Sequence, residues 1–360
     1  MRRSHFEAIQ PVCPRCRGER QVDSPLHLAA VLREDSGDVL EGVLHCTDTA
    51  CYLEFPIIDG IPILVPAPRA YLSDNVYHLL ARDDLSETIE SILGDCAGPG
   101  AAFDATRQHL STYTWDNYGD LDPAEAETGP APGAAVRCLD AGLGLAGAEL
   151  DGPVLDLGCS VGRTSFALAD RCDGPVLGVD VHVPMLRAAR RILTTGTVRY
   201  ARRRLGVVYD RREFAAPFDG ADRVDFWACD ALALPFRDNT FGFVAGINVL
   251  DCVGSPRDML ASLARVLHPG GSTVLSTPYD WSPNATAFEA WIGGHSQRGP
   301  DRGAAEPMLR KLLTPGEHPQ SIDGLRITGE IAGFPWQTRL HDRSIMTYDV
   351  HVLAAEAAAT

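Results

Sequence analysis

Short apolar runs alternate with amphipathic stretches between residues 151 and 353. Apolar runs bounded by turn residues are typical of strands buried in a parallel sheet, and apolar residues at helical spacing predict the helices that cover such a sheet. The strand pattern is clearest in the segments that begin at Val154, Pro175 and Val224. We therefore predict an α/β fold with a doubly wound sheet for this part of the chain.

The first 140 residues follow a different pattern. A tight hairpin turn is predicted at Asp59-Gly60, which separates two short apolar segments. Between residues 71 and 93, apolar side chains recur at helical spacing and predict a helical connector. The sequence is thus divided into three predicted units, a small β-rich domain (1–68), the connector (69–140) and the α/β domain (141–360).

Aromatic side chains are concentrated in residues 111–120, just before a Pro-, Ala- and Gly-rich run at 122–135 that predicts a flexible loop. Two interpretations of the aromatic segment remain open. Its rings either close over a ligand as a lid or pack the connector against the following domain.

Charge and hydropathy narrow the class of protein. The chain carries 48 acidic and 32 basic side chains, a formal net charge of −16, which argues against a general nucleic-acid binder. No apolar stretch reaches the roughly 20 residues of a membrane span, and the first residues lack the apolar core of a signal peptide. We therefore expect a cytoplasmic protein without a membrane partner.

The ten cysteines fall into two groups. Six are scattered singly and are expected to be reduced thiols. The other four form two close pairs, each expected on a turn between short strands, namely Cys13 with Cys16 and Cys46 with Cys51. Four thiolates at this spacing are typical of a tetrahedral zinc site, and with every ligand supplied by protein the site is structural. The alternative is four unrelated free thiols.

Together with the hairpin at Asp59-Gly60, these cysteines resemble the small zinc domain of the activator subunits that partner tRNA and protein methyltransferases. The resemblance covers roughly residues 9–66. It implies a module for folding or docking and not a catalytic one.

A glycine-bearing turn follows the first predicted strand of the α/β domain. Gly158 and Gly162 allow a ligand to approach the backbone closely, and the helix that begins near Arg163 directs free N–H groups to the same place. The second strand ends at Asp180, whose carboxylate is suited to bind both hydroxyls of a ribose. This spacing fits either NAD or S-adenosylmethionine (SAM).

Later motifs favour SAM. A third strand ends at Asp230, and a fourth strand and a Pro269-Gly270-Gly271 turn follow in the order found in class I methyltransferases. The chain resembles that family, which implies a seven-stranded Rossmann-like sheet. The resemblance implies these cofactor-binding residues: Asp156, Gly158, Cys159, Gly162, Asp180, Val181, Asp230, Ala231 and Asn248. An NAD enzyme and a doubly wound domain that has lost its ligand are the alternatives.

Polar and aromatic residues at the ends of the fourth and fifth strands mark where the methyl group is transferred. Asn248, Asp251 and Tyr279 are the candidates for the catalytic role, as a base or as groups that orient the acceptor. Residues 151–353 resemble the C-terminal methyltransferase domain of ovothiol-forming enzymes, the mercaptohistidine N-methyltransferases. This resemblance implies an imidazole acceptor derived from histidine or thiohistidine, in a small molecule or a peptide.

One departure leaves the substrate open, because ovothiol enzymes join this domain to an iron-dependent sulfoxide synthase and this chain carries a zinc module instead. An insertion before the third strand is rich in arginine, and it forms either a clamp for a substrate carboxylate or a solvated face. Its arginines are Arg202, Arg203, Arg204, Arg211 and Arg212. Two rival functions are a tRNA or protein methyltransferase with its activator fused in cis and a scaffold protein without activity. A homodimer is left open.

Overall fold

The computed structural model describes residues 1–125, 129–147 and 149–358, so predictions for the remaining positions lie outside the described residues. The helices are α1 (Arg3–Ile9), α2 (Pro14–Arg20), α3 (Pro68–Leu80), α4 (Glu87–Ala97), α5 (Ala102–Tyr118), α6 (Ala134–Ala146), α7 (Arg163–Ala169), α8 (Val183–Thr195), α9 (Pro256–Val266) and α10 (Ala305–Leu312). Within the described ranges, no helix is long and apolar enough to cross a membrane.

The strands follow the predicted alternation with helices in the second half of the chain. They are β1 (Leu26–Asp35), β2 (Asp38–Cys46), β3 (Glu54–Ile58), β4 (Ile61–Leu64), β5 (Val154–Leu157), β6 (Val176–Asp180), β7 (Thr197–Leu205), β8 (Val208–Ala215), β9 (Val224–Cys229), β10 (Phe241–Ile247), β11 (Leu267–Thr277), β12 (Leu325–His341) and β13 (Ser344–Ala357). The hairpin predicted at Asp59-Gly60 is present, and both of its residues have positive φ angles.

Eleven strands form one sheet in the order β1-β2-β3-β4-β9-β6-β5-β10-β11-β13-β12. The strands from β4 to β11 in this order pair in parallel, and β13 and β12 close that edge with antiparallel pairing. The carboxyl ends of β9, β6, β5, β10 and β11 therefore meet at one edge of the sheet. Ligands bind at this edge in doubly wound folds.

Alternate side chains of the central strands pack against helices on the two faces. Val154 and Val176 face one apolar core, which also holds buried side chains of α5 to α8. Their neighbours Leu155 and Leu177 face the other core, with α9 and α10. A strand buried on both faces needs apolar residues at successive positions, which explains the continuous apolar runs in the sequence.

The N-terminal strands extend this sheet. We expected a small domain preceding a seven-stranded sheet, whereas β4 pairs in parallel with β9, matching Ile63 with Ala228 and Leu64 with Cys229. The seven expected strands are thus present, with four more beyond β9. Without β4, the side of β9 that it pairs with would be an unpaired edge, and apolar sheet edges are prone to aggregate. The N-terminal segment covers that edge.

A buried ion-pair network also ties the N-terminal segment to the rest of the chain. Arg190 of α8 is 5% exposed and contacts Asp38 of β2 at 2.6 Å and Asp225 of β9 at 3.1 Å. Burial raises the pKa of Asp225, but the N-terminal ammonium group and Arg190 outweigh it and hold the pKa below its usual value. Removing one partner of a buried ion pair costs about 3–5 kcal/mol. Arg190 therefore fixes the position of the N-terminal segment against α8 and β9.

Candidate active site

The turn between β5 and α7 depends on two glycines with positive φ angles, 73° at Gly158 and 86° at Gly162. A Cβ atom at Gly158 would lie 2.7 Å from Val249, and one at Gly162 would lie 2.5 Å from Phe226. Only glycine fits the conformation and the space at both positions. The turn therefore presents bare backbone at the sheet edge, as a closely bound cofactor requires.

Asp156 stabilises this turn through hydrogen bonds to the start of α7. It is 1% exposed, and its Oδ2 atom accepts hydrogen bonds from Thr164 at 2.7 Å and Ser165 at 2.6 Å. Burial raises the pKa of Asp156 to about 6. Cys159 is buried as well, and its thiol points to the carbonyl oxygen of Ser160. Both residues order the turn in this structure, and their assignment to the cofactor stays a prediction.

Asp180 lies beside the turn, at the end of β6. Its carboxylate accepts the backbone N–H of Ser160 at 3.0 Å and that of His182 at 2.8 Å. Burial raises its pKa above the usual range for a carboxyl group. Next to it, Val181 is 47% exposed and its carbonyl oxygen accepts the hydroxyl of Tyr71 at 2.5 Å. An anchored carboxylate at this position can accept two further hydrogen bonds from a ribose.

Asp230 and Ala231 follow β9, the neighbouring strand, at the same edge of the sheet. The Asp230 carboxylate accepts the backbone N–H of Leu232 at 2.9 Å, which forms a tight turn. Asp180 is paired in register with Ala228, two residues before Asp230. The structure thus brings the loop glycines and both predicted acids together, as a bound nucleoside requires.

Asn248 follows β10, and the structure joins it to β11. It has a positive φ of 53°, which asparagine tolerates better than most residues. The Asn248 backbone N–H donates to the carbonyl and hydroxyl oxygens of Ser276, both at 3.0 Å. The Ser276 hydroxyl donates in turn to the Asn248 side-chain oxygen at 2.7 Å. Asn248 is therefore held rigidly at the edge.

Asp251 is a buried carboxylate at the same end of the sheet. It is 2% exposed, and its Oδ2 atom accepts the backbone N–H of Asp280 at 2.8 Å. Burial raises the pKa of Asp251 to about 6, and the negative charge of Asp280 adds to the effect. A carboxylate with a pKa near the working pH is suited to take up a proton.

The Tyr279 hydroxyl is bonded within the protein. It donates to Nδ1 of His351 at 2.7 Å, and Nε2 of His351 donates to Glu330 at 3.0 Å when the proton is on that nitrogen. Glu330 also pairs with Arg310 at 2.8 Å. Tyr279 has a positive φ of 56°, so this chain of bonds stabilises a strained turn. A catalytic role for Tyr279 stays a prediction, and here its hydroxyl holds the turn that carries Asp280.

His351 and Glu330 were missed in the sequence because they lie on β13 and β12, far along the chain from Tyr279. Thr277, two residues before Tyr279, is paired in register with His351. A contact that depends on strand register between distant segments leaves no local signal in the sequence.

The aromatic segment 111–120 lies at the end of α5 and in the turn that follows it. Trp115 and Tyr118 are fully buried, and the Tyr118 hydroxyl donates to the carbonyl oxygen of Val161 in the glycine turn at 2.8 Å. Tyr113 is 43% exposed. Burial raises the pKa of its hydroxyl to about 12, and the nearby Cys252 and Asp180 raise it further. Trp115 and Tyr118 therefore pack the helix in place, and a lid role for the segment stays a prediction.

The arginine-rich insertion forms the hairpin of β7 and β8, which packs on α4 and α5. Its guanidinium groups contact side chains of the protein itself. The pairs are Arg202 with Glu125, Arg203 with Gln108, Arg204 with Asp342, Arg211 with Glu90, and Arg212 with Asp122. Four of the five arginines pair with carboxylates and Arg203 contacts a neutral amide, so these contacts do not support the carboxylate clamp considered from the sequence.

The four paired cysteines meet in the N-terminal segment, and their Sγ atoms all lie within 4.8 Å of one another. Cys13 and Cys51 are 3.8 Å apart, and Cys16 and Cys46 are 3.6 Å apart. Tetrahedral zinc with bonds of about 2.3 Å requires separations of about 3.8 Å, so this donor set fits zinc. Contrary to the prediction of a turn between strands, the first pair opens helix α2, where Pro14 occupies the first turn.

Residues 155–275 match the family described as "Methyltransferase domain". The O-methyltransferase cnsE of Penicillium expansum is 26% identical over 200 residues, which are 53% of this chain and 63% of that protein. The demethylmenaquinone methyltransferase of Clavibacter sepedonicus is 31% identical over 181 residues, 44% of this chain and 63% of that protein.

The chain thus spans less than two thirds of the length of these curated relatives. A solved SAM-dependent methyltransferase from Methanosarcina mazei is 19% identical, with a TM-score of 0.39, and the match covers 59% of this chain and 95% of that chain. The family match begins in β5 and ends in β11, and it includes the glycine turn, Asp180, Asp230 and Asp251. The chain therefore contains a class I SAM-dependent methyltransferase domain.

Proposed function

We propose that this protein transfers a methyl group from SAM to a nitrogen of an imidazole-containing acceptor, a histidine- or thiohistidine-derived small molecule or peptide. The observation that carries the proposal is Asp251, a buried carboxylate with a raised pKa on the same sheet edge as Asp180 and the glycine turn. A base is needed there because an imidazole N–H must be oriented or released for the other nitrogen to react.

The residues at the edge fit SAM, which supplies a methyl group already activated on a sulfonium. In the proposed complex Asp180 accepts the ribose hydroxyls, and Asp230 accepts the adenine amino group. Gly158 and Gly162 keep the tight turn that the methionine part would contact, since a Cβ atom at either position would collide with Val249 or Phe226. The exposed Val181 and the half-buried Ala231 flank the adenosine, and Asn248 contacts the cofactor from β10.

On the acceptor side, Asp251 accepts the N–H of the imidazole and takes up its proton. The lone pair of the other ring nitrogen forms the new N–C bond, and the pair of the broken C–S bond stays on sulfur. Transfer of this kind depends on positioning and on exclusion of water. Tyr113 on α5 lies within electrostatic range of both Asp180 and Asp251, which supports a position near the proposed transfer site.

A hydroxyl acceptor is the second candidate, because one relative is named as an O-methyltransferase and a buried carboxylate also suits deprotonation of a hydroxyl. The third is a tRNA or protein methyltransferase with its activator in cis. The pairing of β4 with β9 favours it, since an activator-like segment is joined directly to the domain. The net charge of −16 disfavours tRNA.

We further propose that Cys13, Cys16, Cys46 and Cys51 hold a structural zinc ion. The donor set supports this, and Arg20 donates to the Cys16 sulfur at 2.7 Å, which stabilises a thiolate. Such an ion would fix helix α2 to β2. Val12, next to the first ligand, donates its N–H to Pro235 at 2.9 Å, so the zinc module also contacts the loop after Asp230.

Mass spectrometry of reactions with deuterated-methyl SAM tests the transfer. Histamine, histidine, thiolated histidines and histidine-containing peptides serve as imidazole acceptors, and simple phenols and unmodified tRNA represent the rival classes. Asp180→Ala is the inactive control. A labelled imidazole product supports the proposal, while label only on a hydroxyl or on tRNA refutes the imidazole assignment.

A further inference from the structure

A chain of side-chain contacts runs inward from the surface to the turn that follows β11. The exposed Arg310 on α10 pairs with Glu330 on β12 at 2.8 Å. Glu330 contacts Nε2 of His351 on β13 at 3.0 Å, and Nδ1 of His351 is bonded to the Tyr279 hydroxyl at 2.7 Å. His351 is 1% exposed, so its ring meets these two partners in the interior. The contacts join α10, β12 and β13 to the turn at Tyr279.

The Glu330 carboxylate sets the direction of these hydrogen bonds. The Arg310 guanidinium holds the pKa of Glu330 below its usual range, so Glu330 is ionised and can only accept. Nε2 of His351 therefore carries the ring proton, and Nδ1 keeps a lone pair for the Tyr279 hydroxyl. In this arrangement every donor of the chain meets an acceptor.

The inner end of the chain is attached to a strained turn. Tyr279 has a φ of 56°, a left-handed conformation that persists only where surrounding contacts enforce it. Its backbone N–H donates to the hydroxyl of Thr277 at 3.0 Å. The hydroxyl of Tyr348 donates to the carboxylate of the next residue, Asp280, at 3.1 Å. Since Tyr348 and His351 both lie on β13, this strand holds the turn at two points.

The same turn supplies a hydrogen bond to the proposed base. The backbone N–H of Asp280 donates to Oδ2 of Asp251 at 2.8 Å. This N–H belongs to the peptide group that joins Tyr279 to Asp280, so a change in the backbone at Tyr279 would turn it away from Asp251. An N–H that donates to a carboxylate favours the ionised form, which is the form that takes up a proton.

We propose that His351 and Glu330 are positioning residues for methyl transfer. They act through the Tyr279 hydroxyl, which keeps the Asp280 N–H in place against the Asp251 carboxylate. This deepens the proposed function and rests on it, because Asp251 is the base there. The chain of contacts thus controls how the base is oriented and how readily it is ionised when the acceptor arrives.

Several titratable groups surround the proposed base. They lie in the turn after β11, on β13, on α5 and beside the base itself, and they are Asp280, Tyr279, Tyr348, Tyr113 and Cys252. Substitution of His351 leaves all of these groups present. Variants at this position therefore test the chain of contacts without changing the charges around Asp251.

Two amide substitutions of His351 separate its two hydrogen bonds. The oxygen of asparagine is attached to the same carbon as Nδ1, so His351→Asn can still accept the Tyr279 hydroxyl but loses the bond to Glu330. The amide nitrogen of glutamine lies one atom further out, near the place of Nε2, so His351→Gln keeps the Glu330 bond and loses that of Tyr279. A role in packing alone would make the two variants equally defective.

Three more variants complete the set. Tyr279→Phe removes the same bond from the other end and leaves the core around His351 unchanged. Glu330→Gln should reduce transfer by about threefold or more in wild type but not in His351→Asn, where the amide oxygen accepts without help. His27→Gln is the matched control, since His27 is exposed on β1 at the opposite edge of the sheet.

The pKa of Asp251 and the kinetics of transfer are the two measurements. Carbon-13 NMR of protein labelled at the aspartate carboxyl groups follows the pKa, and the signal of Asp251 is the one that Asp251→Asn lacks. Transfer from SAM to histamine gives kcat and KM across pH. Calorimetry measures binding of S-adenosylhomocysteine, the demethylated product of SAM.

We expect His351→Gln and Tyr279→Phe to raise the pKa of Asp251 by about 1 or more, the effect of losing a hydrogen bond to a charged group. The acidic limb of the kcat profile should move upward with it, which lowers kcat at pH 6.5 by about threefold or more. KM and the affinity for S-adenosylhomocysteine should stay within about twofold. His351→Asn and His27→Gln should resemble wild type.

Equal effects of His351→Asn and His351→Gln, an unchanged pKa of Asp251 in Tyr279→Phe, or loss of S-adenosylhomocysteine binding by Tyr279→Phe would overturn the positioning role. A different failure concerns the proposed function. If wild type shows the expected pKa pattern but methylates neither histamine nor another imidazole, the positioning of Asp251 stands and the imidazole acceptor is wrong.

Discussion

Substituting Asp251 by asparagine should stabilise the protein while it removes the proposed base. Burial raises the pKa of Asp251 from 3.8 to about 6. One pKa unit corresponds to about 1.4 kcal/mol, so ionised Asp251 costs the folded state about 3 kcal/mol at neutral pH. Because the Asp251 side chain is only 2% exposed, contact with water does not reduce this cost. Asparagine has nearly the same shape and keeps an oxygen for the backbone N–H of Asp280.

The sign of the effect depends on pH. A carboxyl group whose pKa is raised on folding contributes its stability fully below its ordinary pKa of 3.8, and that contribution is lost as the pH rises through about 6. Wild type and Asp251→Asn should therefore be similar near pH 4 and diverge to about 3 kcal/mol in favour of the variant by pH 8. Other buried acids such as Asp156 titrate in both proteins and cancel in the difference.

Urea unfolding between pH 4 and pH 8 measures this difference, with Asp349→Asn as the control for the same substitution at an exposed position. Methyl transfer and S-adenosylhomocysteine binding are measured in parallel. We expect transfer by Asp251→Asn to fall by about 10²-fold or more, the usual contribution of a general base, with cofactor binding retained. A variant that is less stable than wild type at pH 8, or a difference that does not change with pH, would refute this reasoning.

Two further predictions concern the glycine turn and the zinc module. Gly162→Ala should destabilise the protein by about 2–5 kcal/mol and abolish cofactor binding, because it combines left-handed strain with a collision against Phe226. Gly206→Ala, at a positive φ with open space around it, should cost only about 1–2 kcal/mol, and equal losses in urea unfolding would contradict the steric argument. Metal analysis of protein purified without added zinc should find about one equivalent, and Cys13→Ser should lose both the metal and stability. A metal-free, well-folded wild type would rule out the zinc site.

The sequence predicts the sheet edge well because its signals are local. A glycine turn needs positive φ angles within a few residues, and Asp180 and Asp230 each end an apolar strand. Parallel strands bring their carboxyl ends to one edge, so the meeting of these residues follows from the order of the strands alone. The hairpin at Asp59-Gly60 is local in the same way.

Contacts between distant segments could not be predicted from the sequence. Ile63 pairs with Ala228, but nothing in the sequence of either apolar strand identifies the other strand as its partner. The bond from Tyr279 to His351 depends on how β13 is registered against β11. The hairpin arginines, such as Arg212, pair with side chains in a loop and in helices. The pattern of charges in the sequence does not specify these partners.

The most direct measurement of the central claim is a calorimetric titration of S-adenosylhomocysteine into wild type, Asp180→Asn and Asp251→Asn. The structure predicts one binding site in wild type, a loss of about tenfold or more in affinity for Asp180→Asn, and unchanged affinity for Asp251→Asn. This pattern would place the cofactor at the ends of β5 and β6. No binding by wild type, or equal binding by Asp180→Asn, would contradict the assignment of this edge as the SAM site.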